Sequence, residues 1–486
     1  MFRCILLFMM IFTLQACDFS PRYAVPFVNT GTHFKEVPEG WKIAQPQDQL
    51  PKGSWWSLFQ NSELNKLLEN IEFENQSILA LKEQYKQANE LVIQARTSFF
   101  PVITNTTSVL RRRNSTSASA SSSSSSTLTA GRSKYSKNYL FQIDAGWEPD
   151  LWGSVRNNVK SNIANKEAVK DQLENGILSV KASLVQAYYQ LATLDEIEKI
   201  LKNTSDSYKK LLTITHHRYK AGTAARQDIL LADNLTKKIE IAFENNKIGR
   251  AEYEHAIAIL LGKVPAHFTL TPQLEKLQKP SIPSLIPSEL LERRPDIAQA
   301  ERLVFQANAQ IGIAISALFP VVSLIANEGS SSQSYKKWFS IPTLFWLLEA
   351  NAVTTLFDAG LKVSKIRQAR SVLEQLIATY RQTVLTAFQE VEDNLVSLKY
   401  LDDEILKQAE FVKNARQIVE IAMNQYKSGT AQLYDVVTFQ IDLLNSEIDL
   451  VTLKGREMVS AALLIKSLGG GWANALPDLP KKCIAK

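Results

Sequence analysis

The chain has 486 residues, with 55 Lys and Arg against 49 Asp and Glu, a formal net charge of +6. So small and evenly spread an excess excludes a nucleic-acid binder, and 45% hydrophobic content excludes wholesale disorder. Three cysteines (Cys4, Cys17, Cys483) without zinc-ligand spacing exclude a disulfide scaffold, and no apolar run reaches the 18 residues of a membrane-spanning helix.

The N-terminus reads as an address and an anchor. Arg3 precedes an apolar stretch from Ile5 to Phe12, which fits a secretory leader rather than a stop-anchor. Leu14-Gln15-Ala16-Cys17 resembles a bacterial lipobox, which implies cleavage before Cys17 and lipidation of its thiol. Residues 1–16 are then the lipoprotein signal peptide and 17–60 an extended segment tethered to membrane lipid.

Past a first helical stretch, residues 99–110 are rich in Thr, Val and Phe and read as a strand. Ser115–Ser126 is a low-complexity tract that cannot build a core and reads as a solvated loop tip. Tyr139, Phe141, Ile143, Ala145 and Trp147 then alternate with Gln142, Asp144, Gly146 and Glu148, the period of two that gives a strand one apolar and one polar face.

No proline occurs between Pro149 and Pro265. Leu173, Ile177, Val180, Leu184, Tyr188 and Leu191 step by fours and threes, close to a heptad seam. A continuous helix from Ser154 to His216 would run roughly 95 Å at 1.5 Å per residue. Such a chain is elongated, so the three-domain expectation from its length is set aside. The second proline-free window, between Pro342 and Pro477, repeats the first at an offset of 207. Tyr219-Lys220 falls on Tyr426-Lys427, Gly222-Thr223-Ala224 on Gly429-Thr430-Ala431, Asp228 on Asp435, and Gly153 on Gly360. One ancestral unit occurs twice. Each Gly-Thr pair reads as a helix stop followed by a new N-cap, so each copy is a hairpin of long helices. Phe99-Phe100-Pro101 parallels Leu318-Phe319-Pro320 at a larger offset, which the Ser-rich insertion accounts for, and Leu344 to Val353 supplies the fourth strand. Repeat 1 spans 61–270, a linker 271–290, repeat 2 291–472 and a tail 473–486. Four strands are too few for a closed membrane barrel, so several chains must share one if the strands enter a bilayer. A small soluble sheet on a coiled coil is the other reading of the same pattern.

These features resemble the outer membrane efflux protein family. The resemblance rests on Trp55-Trp56-Ser57-Leu58-Phe59 with Leu64, Leu67 and Asn75, on Phe99-Phe100-Pro101, on Asp150-Leu151-Trp152-Gly153, on Leu290 to Glu301 (LLERRPDIAQAE) and on Leu468 to Trp472. It implies a mainly α protein with membrane β: a homotrimer whose twelve strands form one outer-membrane β-barrel, continued by a periplasmic α-helical barrel. Its partners would be a periplasmic adaptor and an inner-membrane transporter, with no cofactor beyond the lipid on Cys17. The expected role is the passive exit duct of a tripartite pump for drugs or other small molecules. Alternatives are the duct of a protein-secretion system and a poreless coiled-coil lipoprotein.

No nucleophile elbow, phosphate loop or metal motif is present, so an enzyme is disfavoured. The resemblance implies that Asp228 and Asp435 narrow a periplasmic aperture and that Tyr426 bonds Asp228. A helix-face or capping carboxylate is an equal reading. Ala431, Thr438 and Gln440 depart from charged residues found in parts of the family. Gly222, Thr223, Gly429 and Thr430 are candidate adaptor-docking positions that also suit plain turn geometry. In Arg293-Arg294-Pro295-Asp296, Pro295 suits a first helical turn and Asp296 the positive helix end. Trp147, Trp152 and Trp346 are candidates for the bilayer interface, and Asp18 for a sorting signal.

Overall fold

The computed structural model describes residues 19–27, 54–113, 135–272, 277, 280 and 294–470. The leader, Cys17, Asp18, the Ser-rich tract, most of the linker and the tail after Gly470 lie outside them. The elements are α1 (Ser62–Glu69), α2 (Ile71–Glu74), α3 (Gln76–Thr97), β1 (Val102–Arg113), β2 (Tyr135–Trp147), α4 (Ser154–Lys220), α5 (Arg226–Leu260), α6 (Pro295–Ser316), β3 (Val321–Ser332), β4 (Leu344–Val353), α7 (Leu361–Ser428) and α8 (Leu433–Ser467). The chain falls into two compact units. One comprises Met1–Val25, Lys86–Glu167 and Arg302–Ala378, the other Pro26–Tyr85, Ala168–Glu301 and Thr379–Lys486. Each repeat contributes to both.

The first unit holds an antiparallel sheet in the order β1-β2-β3-β4. β1 begins about three residues later than the Thr-, Val- and Phe-rich run suggests, because Pro101 ends the preceding helical turn and donates no ladder hydrogen bond, and Pro320 stands in the same place before β3. Both hairpin loops leave the same sheet end, and the helices join at the other. There Asp150 accepts from the Val155 and Arg156 amides, each at 3.0 Å, and so caps α4. Asp358 does the same for α7, accepting from Gly360 at 2.9 Å and Lys362 at 3.0 Å. The Lys362 amide, joined by that of Gly360, holds the Asp358 carboxyl below the usual carboxylate range.

The second unit is helical. Trp55, Trp56 and Phe59 lie on a separate 3-10 turn rather than on the first α-helix, and bury against Leu184, Tyr188 and Tyr189 of α4. Gln60 breaks the turn at φ 52°, and Asn61 then caps α1 through Leu64 N while donating to Tyr188 Oη at 2.8 Å. Val391 and Leu398 of α7, with Leu395 between them at steps of four and three, and Met458, Ala461 and Ile465 of α8 complete this core.

Two arginines staple the helices, Arg294 buried and Arg250 half-buried. Arg250 donates to Asp195 at 2.6 Å and to the Leu270 carbonyl at 2.8 Å. Arg294 makes a fork to Asp296, a bond to Ser467 O at 2.9 Å, and an ion pair with Glu390 at 2.8 Å. In each, burial opposes the charge, yet the hydrogen-bonded carboxylates outweigh it and the guanidinium pKa is raised. Pro295 is the first residue of α6, as its fixed φ favours.

Candidate functional site

The helix tips are two near-identical turns. Gly222 and Gly429 take φ of 76° and 82°, the left-handed region in which a Cβ is strained. Gly222 N donates to Tyr219 O and Thr223 N to Arg218 O, both at 2.9 Å. Gly429 N and Thr430 N repeat this onto Tyr426 O and Gln425 O. This pair of bonds is the Schellman ending of a helix. The threonines do not cap the next helix, as the sequence suggests. Their hydroxyls donate backwards, Thr223 to Arg218 O and Thr430 to Gln425 O, both at 3.1 Å. They close the outgoing helix, and the N-caps are Ala225 and Gln432, which offer no capping side-chain bond of their own.

Asp228 fills that gap in the first tip. It is the third residue of α5, and its Oδ2 accepts from Ala225 N at 3.0 Å, the return arm of a capping box. Asp435 holds the matching place in α8 and is exposed. The Tyr426–Asp228 bond implied by the resemblance is not formed. Tyr426 is 3% exposed, and its hydroxyl lies 3.3 Å from Thr215 Oγ1. Thr215 spends its own proton on Leu211 O at 2.9 Å, so Tyr426 is the donor.

Sequence reading passed over Arg218. Its guanidinium lies 4.4 Å from the Tyr426 ring centroid, and it also donates to the Tyr426 carbonyl. One side chain thus fastens the first hairpin to the last turn of α7. The repeats differ here: Gln425 replaces Arg218, and Tyr219, the counterpart of Tyr426, is 44% exposed. The departure was legible in the tip motifs, where residues 218–224 and 425–431 differ at Arg218–Gln425 and Ala221–Ser428 alone. Tyr208, in the same apolar cluster, buries a hydroxyl without a hydrogen-bond partner among the described residues, and burial pushes its pKa up to about 12.

The sheet has two unlike faces. Thr106, Gln142 and Asp144 share one, where Thr106 and Gln142 donate to the Asp144 carboxylate. Ile103, Val109, Ile143, Trp147, Trp346 and Leu348 are exposed on the other. Trp346 is 76% exposed, and Trp147 donates to Phe99 O at 3.1 Å. Trp152 is instead a corner residue: it stacks on Phe319 at 4.9 Å and donates to Pro320 O. β1 and β4 each pair on one side only within the chain. Among the described residues no helix is long and apolar enough to cross a membrane, and no cluster of His, Cys, Asp and Glu could hold a metal ion.

The model of the family described as outer membrane efflux protein matches residues 67–263 and 286–470. The antibiotic efflux pump outer membrane protein ArpC of Pseudomonas putida is 26% identical over 470 residues, covering 95% of this chain and 94% of its own. The cation efflux system protein CusC of Escherichia coli is 25% identical over 482 residues, covering 94% and 96%. Among solved structures, the outer membrane channel CmeC of Campylobacter jejuni superposes with a TM-score of 0.85 at 23% identity, over 94% of this chain and 95% of that one.

Proposed function

The chain belongs to the outer membrane efflux protein family, and from that membership we propose a lipid-anchored, trimeric exit duct that passes small molecules across the outer membrane for an adaptor and an inner-membrane transporter. The observation that carries the reading is the sheet. Four antiparallel strands with an apolar outer face and two unpaired edges cannot stand alone in lipid, where every backbone group must be paired. Since a membrane barrel needs about eight strands or more, other copies must supply the rest. Three copies give the twelve strands that the family resemblance implies. The helix tips then form the periplasmic aperture, with Asp228, Asp435 and Tyr426 around it and the glycine turns outermost as docking points. Covalent lipid on Cys17 would add a second hold on the membrane.

The test is fractionation followed by electrophysiology of the full chain. Heat-modifiable trimers in the outer membrane and stepwise conductance in planar bilayers are expected. A monomer in the periplasmic fraction with no conductance overturns the reading. Labelled palmitate should enter the wild type and not Cys17→Ser.

A further inference from the structure

The outer ends of the two hairpins carry an unbalanced charge. Residues 102–143 and 329–348 contain eight lysines and arginines and no aspartate or glutamate. In a chain whose total is only +6, this is local segregation. Part of it lies on the sheet's apolar face. Arg111, Arg113, Tyr135 and Lys137 share that side, since both guanidinium groups approach the Tyr135 ring, at 5.6 and 6.0 Å from its centroid. Arg111 and Lys137 are direct register partners. Like charges opposed across a strand pair destabilise it unless a counter-charge lies between them. None of Arg111, Arg113 and Lys137 has an acidic partner among the described residues. Glu328 is exposed on the same face but pairs opposite Ile143, six residues along β2 from Lys137, about 20 Å at the strand rise.

The depth of these cations is set by the aromatic residues beside them. Trp147 and Tyr139 share the apolar face eight residues apart, about 26 Å along the strand or roughly 20 Å of membrane height at a ~40° strand tilt, so Lys137, two residues further, lies near the edge of the ~25 Å apolar band that aromatic girdles flank. Tyr335, Trp338 and Phe339 from the second hairpin loop pack against Tyr139 and Phe141 and thicken the girdle on the loop side. The same loop carries exposed Lys336 and Lys337. Arg111 and Lys137 lie one step beyond Val109 and Tyr139, where lipid headgroups begin. Arg112 and Ser136 point to the opposite face.

We infer that Arg111, Arg113 and Lys137 form an outward-facing site for the phosphate groups of a phosphorylated lipid in the outer leaflet, with Tyr135 and Tyr139 against its acyl-glycan boundary. Guanidinium groups bind phosphate with two parallel bonds, and a phosphate between Arg111 and Lys137 turns their repulsion into attraction. The inference rests on the outer-membrane reading above, which places the loop end of the sheet at the outer leaflet.

The experiment uses the full chain in neutral detergent, with diphosphorylated lipid A, its dephosphorylated form and inorganic phosphate as probes, read by native mass spectrometry and thermal unfolding. Diphosphorylated lipid A should bind and raise the unfolding temperature. The triple variant Arg111→Gln, Arg113→Gln, Lys137→Gln should bind it at least tenfold more weakly, and Arg112→Gln should match the wild type. Equal binding of the dephosphorylated lipid, competition by inorganic phosphate at equal concentration, or unchanged binding by the triple variant overturns the proposal. Fractionation of the triple variant separates the two readings: a variant still trimeric in the outer membrane but indifferent to lipid A defeats the lipid site and leaves the duct standing.

Discussion

Arg218, near the end of the first long helix, lies over the ring of Tyr426, near the end of the second, 4.4 Å from its centroid. The same guanidinium bonds the Tyr426 carbonyl. If the tips form the aperture, this contact restrains it. Arg218→Gln, the residue that repeat 2 holds at this place, should loosen the tips. The expected outcome is a higher open probability in planar bilayers and greater sensitivity to large antibiotics. Tyr426→Phe, which loses only the bond to Thr215 at a cost of about 1 kcal/mol, should have the smaller effect. Indistinguishable current traces for Arg218→Gln and wild type would sink the idea.

Charge and capping can be separated at Asp228 and Asp435. Asn at both sites keeps an acceptor for Ala225 N but removes six carboxylates from a trimer. Cation selectivity should fall, and conductance or leakiness should rise, without loss of helix stability. Asp228→Ala should in addition cost about 1 kcal/mol through the lost cap. Reversal potentials under a salt gradient read the first effect and amide exchange at the tip the second.

The tip glycines are a matter of backbone conformation. Nothing lies within 4 Å of a Cβ placed at Gly222 or Gly429. Gly222→Ala should therefore cost only the left-handed strain, on the order of 1–2 kcal/mol, and Gly222→Asn less. If cross-linking to the adaptor survives both substitutions, the glycines are turn residues and the docking assignment fails.

Arg294 should be the most sensitive of the buried charges. Arg294→Ala leaves the Ser467 carbonyl and Asp296 without their partner, while half-exposed Glu390 returns to water, an expected loss of about 1–3 kcal/mol. Lysine cannot reproduce the fork to Asp296 and should rescue little. Thermal unfolding followed by helical circular dichroism measures both. A shift of less than a degree for Arg294→Ala would refute the staple.

Tyr208 gives a pH signature. Its pKa is raised to about 12 by burial, above the ordinary value of 10.0. The folded state therefore holds the phenol proton more tightly than the unfolded state does. Its contribution is complete below pH 10 and disappears as pH rises through 12. Tyr208→Phe removes an unpartnered hydroxyl, so it should unfold no more easily at neutral pH and lose less stability between pH 10 and 12. Parallel alkaline unfolding profiles would count against this.

Much of the fold was legible because periodicity and punctuation are local properties. The period-two face from Tyr139 to Trp147, the seam from Leu173 to Leu191 and the doubled Gly-Thr landmarks each depend on residues a few places apart. What escaped was set by contacts between distant segments. Thr223 offered the chemistry of an N-cap, yet its hydroxyl turns back to Arg218 O, because a Schellman ending already directs the chain there. Tyr426 could have sought a carboxylate, but its hydroxyl meets Thr215 in the packed tip. Arg294 carried no reading of its own beside the helix-start residues Pro295 and Asp296, and only the approach of Glu390 and Ser467 made it a staple.

The left-handed glycines also act as a gauge. Gly153 to Gly222 and Gly360 to Gly429 enclose equal stretches, and so do Gly222 to Gly262 and Gly429 to Gly469. One residue added to a single stretch would swing everything past it by about 100° and advance it about 1.5 Å. Two rods held to matched lengths therefore tie the fate of one half of the gene to the other: an indel tolerated in the Ser-rich tract would, inside either rod, require its twin.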